Sequence, residues 1–352
     1  MDLEKIRKKI DFIDAEIVKL LNERMEFALR TKKLKENIVD AKREEEVFGQ
    51  IRKYSQGLIR PEFSGKVFDE IIKESVRLQE IDQKLVGFQG EHGAFGEVAI
   101  KKYDASLVPI PCMEFIDVFE GVRKNQLDFG LVPVENSLEG AVTQVNDLLV
   151  ETDLSIVGEI NTPITHCLLA LPETDYREIR VVYSHPQALA QCRKFISRNK
   201  LEPRPFYDTA GAAKMLSKEK PRAASAVASK LCAELYNLEI IKENIEDTDT
   251  NSTRFILLSK EKSSEKGDKC SVIFSTKHQA GALFSVLELF AKAEINLTRI
   301  ESRPIRTDPG NYAFLLDFQG SDEDGKVIEI LEKTKEKTSM YKFLGCYREA
   351  QR

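Results

Sequence analysis

Eleven positions near the N-terminus recur at alternating three- and four-residue steps: Leu3, Ile6, Ile10, Ile13, Ile17, Leu20, Arg24, Phe27, Thr31, Leu34 and Ile38. That spacing predicts one long amphipathic helix running to about Asn37. Two shorter helices follow, from about Lys42 to Gly57 and from Pro61 onward, carrying Val47, Phe48, Ile51 and Tyr54, then Phe63, Val67, Ile71, Ser75 and Leu78. Three helices of such unequal length cannot bury the stripe alone, so a symmetric partner is expected to complete the core. One stripe position is a permanent cation. Burying Arg24 requires an anion, either a carboxylate on a neighbouring helix or a bound ligand. Lys35 lies eleven residues on, close to three turns, and is expected on nearly the same face, where the two cations would cage a small anion.

The texture changes at Lys84. The runs LVGF, VVYS, AASAV and RFILLS are strand-like and alternate with helical patterns, which predicts an α/β region with mostly parallel sheets over residues 83–261. A polar linker, EKSSEKGDK, separates it from a third region, residues 269–350. There CSVIFST, ALFSVLELFAKA, INLTRIESR, YAFLLDFQ, KVIEILEKTKEK and YKFLGCY give the order βαββαβ, a ferredoxin-like split unit. The chain thus reads as multidomain: all-α over 1–82, bilobed α/β over 83–261 and α+β over 269–350. A content of 42% hydrophobic and 32% charged residues supports real cores in a soluble protein. The net charge of −5, with cations interleaved among acids, implies no nucleic-acid surface. No apolar run approaches the roughly 18 residues of a membrane span, and the charged start has no signal-peptide core, so a cytoplasmic protein is expected. Six scattered cysteines without ligand spacing read as free thiols, with no metal site.

The polar residues that interrupt the helical pattern are Arg7, Arg24, Lys35, Asp40, Arg43, Glu44 and Gln79. In these the first region resembles the all-helical class of chorismate mutases. The resemblance implies that Arg24 and Arg7 grip the carboxylates of chorismate, with Arg7 reaching in from a partner subunit. It further implies that Arg43 orients the cage, that Lys35 and Gln79 donate to the ether oxygen, and that Glu44 and Asp40 bind the ring hydroxyl side. Asp40 reads equally well as a helix N-cap. A pericyclic rearrangement needs no nucleophile or metal, only a held conformation and stabilised developing charge. A glutamine donates at any pH, so the mutase rate is expected not to require acid.

In the second region Glu135-Asn136-Ser137 follows a strand, Ser184-His185-Pro186-Gln187 and Asp208-Thr209-Ala210 open helices, and Thr253-Arg254-Phe255 begins a strand. Helix N-termini suit carboxylate binding. These segments resemble prephenate dehydratase, whose fold has two α/β lobes around a cleft. The resemblance implies that Thr253 assists departure of hydroxide as a hydrogen-bond donor, and that Glu135, Asn136, Ser137, Ser184, Gln187, Thr209 and Phe255 contribute to the cleft. Arg254 either binds a carboxylate or ties the strand end to the other lobe. His166, inside ITHCLLAL, reads as a satisfied core histidine, and His185 as a cap.

In the third region Gly281-Ala282-Leu283 opens a helix and Glu301-Ser302 ends a strand. Both motifs resemble the ACT regulatory domain, which implies phenylalanine binding between two such domains. The three resemblances together imply an enzyme of phenylalanine biosynthesis. It would carry chorismate to prephenate and prephenate to phenylpyruvate without a cofactor, as a homodimer or homotetramer, with phenylalanine as allosteric ligand. An arogenate dehydratase, a dehydratase with a relic helical domain and an amino-acid sensor are the competing readings.

Overall fold

A computed structural model describes residues 2–350 except 36, 56, 306, 307 and 309. The chain forms two compact units, one built from the N-terminal helices and the other from nearly all of the rest.

In the helical unit, α1 (Leu3–Lys32), α2 (Ala41–Tyr54) and α3 (Pro61–Glu80) pack so that α3 touches both others. Pro61 occupies the first turn of α3, where a missing N–H is harmless. Asp40 caps α2 by accepting from the Arg43 N–H at 3.0 Å. The first helix ends at Lys32 rather than near Asn37. At its end the Thr31 hydroxyl donates to the Ala28 carbonyl at 2.7 Å. A side chain competing for a helical carbonyl loosens the last turn, and the cations there complement the carbonyl end without extending it. The apolar stripe stays largely on the surface of the chain, with Ile13 55% and Leu20 60% exposed.

The second unit begins with β1 (Leu85–Gln89), α4 (Phe95–Tyr103), β2 (Val108–Cys112), α5 (Phe115–Arg123), β3 (Phe129–Asn136), β4 (Gly140–Ala141), α6 (Thr143–Glu151) and β5 (Ser155–Pro163). The chain then crosses to a second lobe made of β6 (Cys167–Ala170), β7 (Val181–Ser184), α7 (Pro186–Gln191), α8 (Arg193–Arg198), β8 (Glu202–Pro205), α9 (Thr209–Glu219), β9 (Ala224–Ala228), α10 (Lys230–Tyr236) and β10 (Glu239–Lys242). It crosses back as β11 (Ser252–Ser259), which inserts between β3 and β5. The sheet orders are β2-β1-β3-β11-β5 and β10-β6-β9-β7-β8. All four strand runs expected from sequence are present, in β1, β7, β9 and β11. The sheets are mixed rather than mostly parallel: β11 is antiparallel to β3 and β5, and β6 to β9 and β10. The cause is the double crossing. A strand arriving directly from the other lobe runs against those fed by helical crossovers.

The last segment is β12 (Lys269–Ser275), α11 (Ala282–Lys292), β13 (Leu297–Pro304), β14 (Tyr312–Gln319), α12 (Gly325–Lys337) and β15 (Met340–Tyr347), the βαββαβ order expected. Its antiparallel sheet, β13-β14-β12-β15, buries Val272, Phe274, Phe290 and Phe318 in a core of its own. Every residue of β12 is buried because the other sheet face packs on the first lobe. Gly345, at φ +144°, permits that approach: a Cβ there would lie 2.3 Å from the Ile156 carbonyl oxygen of β5.

Candidate active sites and their family

A cavity of about 420 Å³ opens in the second unit, lined from both lobes by Asn136, His166, Gln187, Thr209, Thr253 and Phe255 among others. That volume suits a small organic acid. Strand alternation explains which residues of β11 face it. Thr253 and Phe255 share one face, and Arg254 points the opposite way.

Thr253 is held with a defined polarity. It pairs across the sheet with Asn136, whose Nδ2 donates to Thr253 Oγ1 at 2.9 Å and to Asn251 Oδ1 at 2.8 Å. The amide cannot be reversed cheaply, because Asn136 Oδ1 already accepts the N–H groups of Leu138 and Glu139 at 3.0 and 3.2 Å. An incoming donor occupies a lone pair of the threonine oxygen, so its own hydrogen is left to donate. Asn251 opens the Asn-Ser-Thr-Arg-Phe run that marks Thr253 in the sequence, but that run alone assigns it no role.

Four expected cleft residues lie elsewhere. Arg254 is buried, with Nε on Glu159 at 2.7 Å, Nη1 on Asp317 at 2.7 Å and Nη2 donating to the Tyr347 hydroxyl at 3.1 Å. It therefore ties β11 to the C-terminal sheet, not to the other lobe and not to a ligand. Burial opposes its charge, but Asp317 and Glu159 outweigh that and hold its pKa above the usual value. Asp317, also disfavoured by burial, is held below the carboxylate range by Arg254 and Arg299. Glu135 faces the same network, 3.5 Å from Arg254 and 3.6 Å from Arg299. Ser184 is fully buried and donates to the Val227 carbonyl at 2.6 Å. Ser137 staples the turn after β3 to the return crossing, donating to the Thr250 carbonyl and accepting from the Ser252 N–H. In each case a neighbouring carbonyl or charge claims the polar group that the motif suggested for a ligand.

The helix N-termini expected to take carboxylates are already capped. Asp208 Oδ1 accepts from the Gly211 N–H at 2.7 Å, and His185 Nδ1 accepts from the Gln187 N–H at 3.3 Å. Burial pushes the Asp208 carboxyl above its ordinary value. His166 is 1% exposed, yet it is not the satisfied core histidine the sequence suggested: it lines the cavity, and its Nδ1 has no partner among the described residues.

The loop before α4 rims the cavity and hangs on Glu97. Its carboxylate accepts from the Gly93 N–H at 2.8 Å and contacts His92 Nδ1 at 3.1 Å and Lys101 Nζ at 2.9 Å. Burial would raise its pKa, but these three partners outweigh burial and hold it at about 2. A depressed carboxyl stabilises the fold above its unfolded value of 4.5 and loses that contribution as pH falls toward 2. Glu97→Gln is therefore expected to lower the melting temperature at pH 7 and to flatten its decline between pH 4.5 and 2. Parallel thermal melts of variant and wild type across that range measure this, and identical slopes would refute it.

In the helical unit, Arg24 and Gln79 each bond across the α1–α3 seam. Arg24 Nη1 donates to Ser75 Oγ, and burial lowers the Arg24 pKa. Gln79 Nε2 donates to the Ala28 carbonyl at 2.8 Å, and its buried Oε1 has no partner among the described residues. No carboxylate of a neighbouring helix is placed on Arg24 among the described residues. Lys35 is not beside it: the helix has ended, and Lys35 Nζ reaches the Ile38 carbonyl in an exposed loop. Arg43 pairs with Glu46 at 3.1 Å, and Glu44 lies half-buried in the first turn of α2. Arg7 and Arg24 stand on one helix about 25 Å apart, too far to hold one small dicarboxylate together.

In the C-terminal segment, Gly281 sits at φ +81° just before α11, followed by Ala282 and Leu283. Glu301 and Ser302 lie on β13, an edge strand.

Known families match this layout in order. Chorismate mutase type II matches residues 6–80, Prephenate dehydratase residues 86–263 and the ACT domain residues 271–336. A bifunctional chorismate mutase/prephenate dehydratase of Aquifex aeolicus (strain VF5) is 36% identical over 361 residues, covering 99% of this chain and 98% of its own. The crystal structure of a prephenate dehydratase in complex with L-Phe, from Arthrobacter aurescens, has a TM-score of 0.69 and 32% identity over 75% of this chain and 90% of its own. A structure described as GqqA, a novel type of quorum quenching acylase, has a TM-score of 0.70 and 33% identity over 75% of this chain and 97% of its own. With the three segments in this order and a relative matched from end to end, the chain belongs to the bifunctional chorismate mutase/prephenate dehydratases that carry a C-terminal ACT domain.

Proposed function

We propose that the helical unit rearranges chorismate to prephenate and that the two-lobed cleft converts prephenate to phenylpyruvate, as steps of phenylalanine biosynthesis in the cytoplasm. The Asn136–Thr253 pair carries the second assignment. Prephenate loses carbon dioxide from one ring carbon and hydroxide from the opposite one. The carbon–carbon pair freed by decarboxylation enters the ring, and the carbon–oxygen pair leaves with the hydroxyl. The protein need only fix the acid and lower the cost of charge growing on the departing oxygen. A threonine hydrogen oriented by Asn136 serves that purpose, and Gln187 and Thr209 offer further donors for the carboxylates.

For the mutase, the half-buried Arg24 at the α1–α3 seam supports the first assignment, with Gln79 on the same seam. The exposed α1 stripe and the distance between Arg7 and Arg24 favour a homodimer in which each site takes Arg7 from the partner. Lys35, Asp40, Arg43 and Glu44 would join the cage when that partner and the substrate are bound. Phenylalanine would bind where Gly281–Leu283 and the Glu301–Ser302 edge strand of two C-terminal domains meet. It would inhibit by favouring one of two states for which it has unequal affinity.

A coupled assay on the pure chain tests this reading. Chorismate should disappear and phenylpyruvate accumulate, with no added cofactor, and phenylalanine should slow the second step. Because an amide donor does not titrate, the mutase rate is expected to stay level from pH 5 to 8; a steep fall over that interval would remove Gln79 from its role. Arogenate offered in place of prephenate separates the two dehydratase activities by their kcat/KM ratio. Phenylalanine binding without turnover of either acid would leave only a sensor.

A further inference from the structure

The imidazole of His166 has a fixed hydrogen arrangement. Gln191 Nε2 donates to Glu139 Oε1 at 3.2 Å, which turns the Gln191 carbonyl oxygen toward His166. That oxygen lies 2.9 Å from His166 Nε2. A carbonyl oxygen only accepts, so Nε2 carries the hydrogen, and in the neutral ring Nδ1 carries none. Nδ1 is then a bare acceptor in a residue 1% exposed, on the wall of the cavity and without a donor among the described residues. The ring is further held edge-on by Phe95, with centroids 5.5 Å apart. Its carrier is the outgoing crossing between the lobes, bound to the returning one by the Ile164 N–H on the Asn251 carbonyl at 2.9 Å. Thr253 is two residues beyond that carbonyl.

A buried acceptor without a donor is costly unless a ligand supplies one. Resting on the dehydratase reading, the donor follows from the substrate's chemistry. Prephenate carries two carboxylates and a ketone, which only accept, and one ring hydroxyl, which alone can donate. We infer that His166 Nδ1 accepts the hydrogen of the substrate's ring hydroxyl, and so turns that oxygen's lone pairs toward the Thr253 hydroxyl before the carbon–oxygen bond breaks. His166 is thus a substrate-orienting residue rather than an acid. Burial lowers its pKa from the ordinary histidine value and so favours the neutral ring, against the opposing pull of Gln191 and Glu246.

The test compares His166→Phe with wild type in prephenate turnover and in competitive inhibition by phenylpyruvate, which lacks the ring hydroxyl. The expected result is a fall of roughly tenfold or more in kcat/KM for prephenate, the scale of one lost hydrogen bond with an unmet partner. The inhibition constant of phenylpyruvate should stay unchanged. A structural role would weaken both alike and overturn the inference. Should His166→Phe fail to fold, His166→Asn against His166→Ala keeps the test, because an asparagine oxygen near the place of Nδ1 should recover most of the loss. Arogenate, which adds an ammonium donor, supplies a further arm. Equal losses on both substrates support a contact to the shared hydroxyl, whereas a loss confined to one overturns it. A wild-type chain that does not turn over prephenate fails the dehydratase reading itself, before any variant is compared.

Discussion

Thr253→Ala is expected to lower kcat for dehydration by about 10²–10³, the cost of removing one donor aimed at developing charge, and to leave chorismate rearrangement untouched. Chorismate fed to this variant would stop at prephenate. The reasoning rests on the polarity of the Asn136–Thr253 bond, in which Asn136 donates and the threonine hydrogen is left over. Thr253→Ser keeps that hydrogen and should retain most of the activity, whereas Thr253→Val keeps the shape and should not. The effect belongs in kcat more than in KM, since the bond strengthens only as the hydroxyl leaves. An alanine variant within a fewfold of wild type would take the hydroxyl out of the reaction.

Arg254→Met is expected to be the most destabilising single change in the second unit, although Arg254 is next to Thr253. Removing the guanidinium leaves Glu159 and Asp317, 5% and 3% exposed, without their common counter-ion. Breaking a buried pair from one side costs about 3–5 kcal/mol, or on the order of 10 °C in melting temperature. Lys269 remains on Glu159 at 3.0 Å and softens the loss there. Asp317 depends more on Arg254, because Arg299 stands farther away at 3.8 Å. Adding Asp317→Asn to Arg254→Met should therefore restore part of the lost stability, although each change alone is harmful. Calorimetry on the four members of this cycle measures the coupling, and simple additivity would mean that the two side chains do not depend on each other.

These contrasts show where the sequence was readable. The α1 stripe, the four strand runs and the βαββαβ order announce themselves by local periodicity, and the structure contains them. Thr253, Asn136, Gln187, Thr209 and Phe255 line the cavity because each sits at a strand or helix end that the motifs mark. Arg254 defeated the reading because its partners, Glu159 and Asp317, come from β5 and β14, and no local pattern links them to β11. Ser137 and Ser184 failed for a related reason: a short hydroxyl next to a free carbonyl bonds the backbone first. The place expected for Lys35 requires the periodic helix to continue, but side-chain competition at Thr31 ends it at Lys32. His166 looked like core by composition, and only Gln191 and Glu139, brought near by folding, reveal which nitrogen is unprotonated. The parallel-sheet expectation ignored that a chain crossing twice returns with its direction reversed.

The position of β11 also bears on how the protein is made. The first lobe's sheet has a gap between β3 and β5 that only β11 fills, and β11 leaves the ribosome about 90 residues after β5, a long-range pairing of the kind that slows folding. The intervening stretch is the whole second lobe, which has a contiguous sequence and its own core. During synthesis the later lobe can thus close before the earlier one. Two half-finished edges must wait for the strand that brings Thr253, and Arg254 must then wait again for Asp317. No single cut in the gene separates the lobes, because the first is written on both sides of the second.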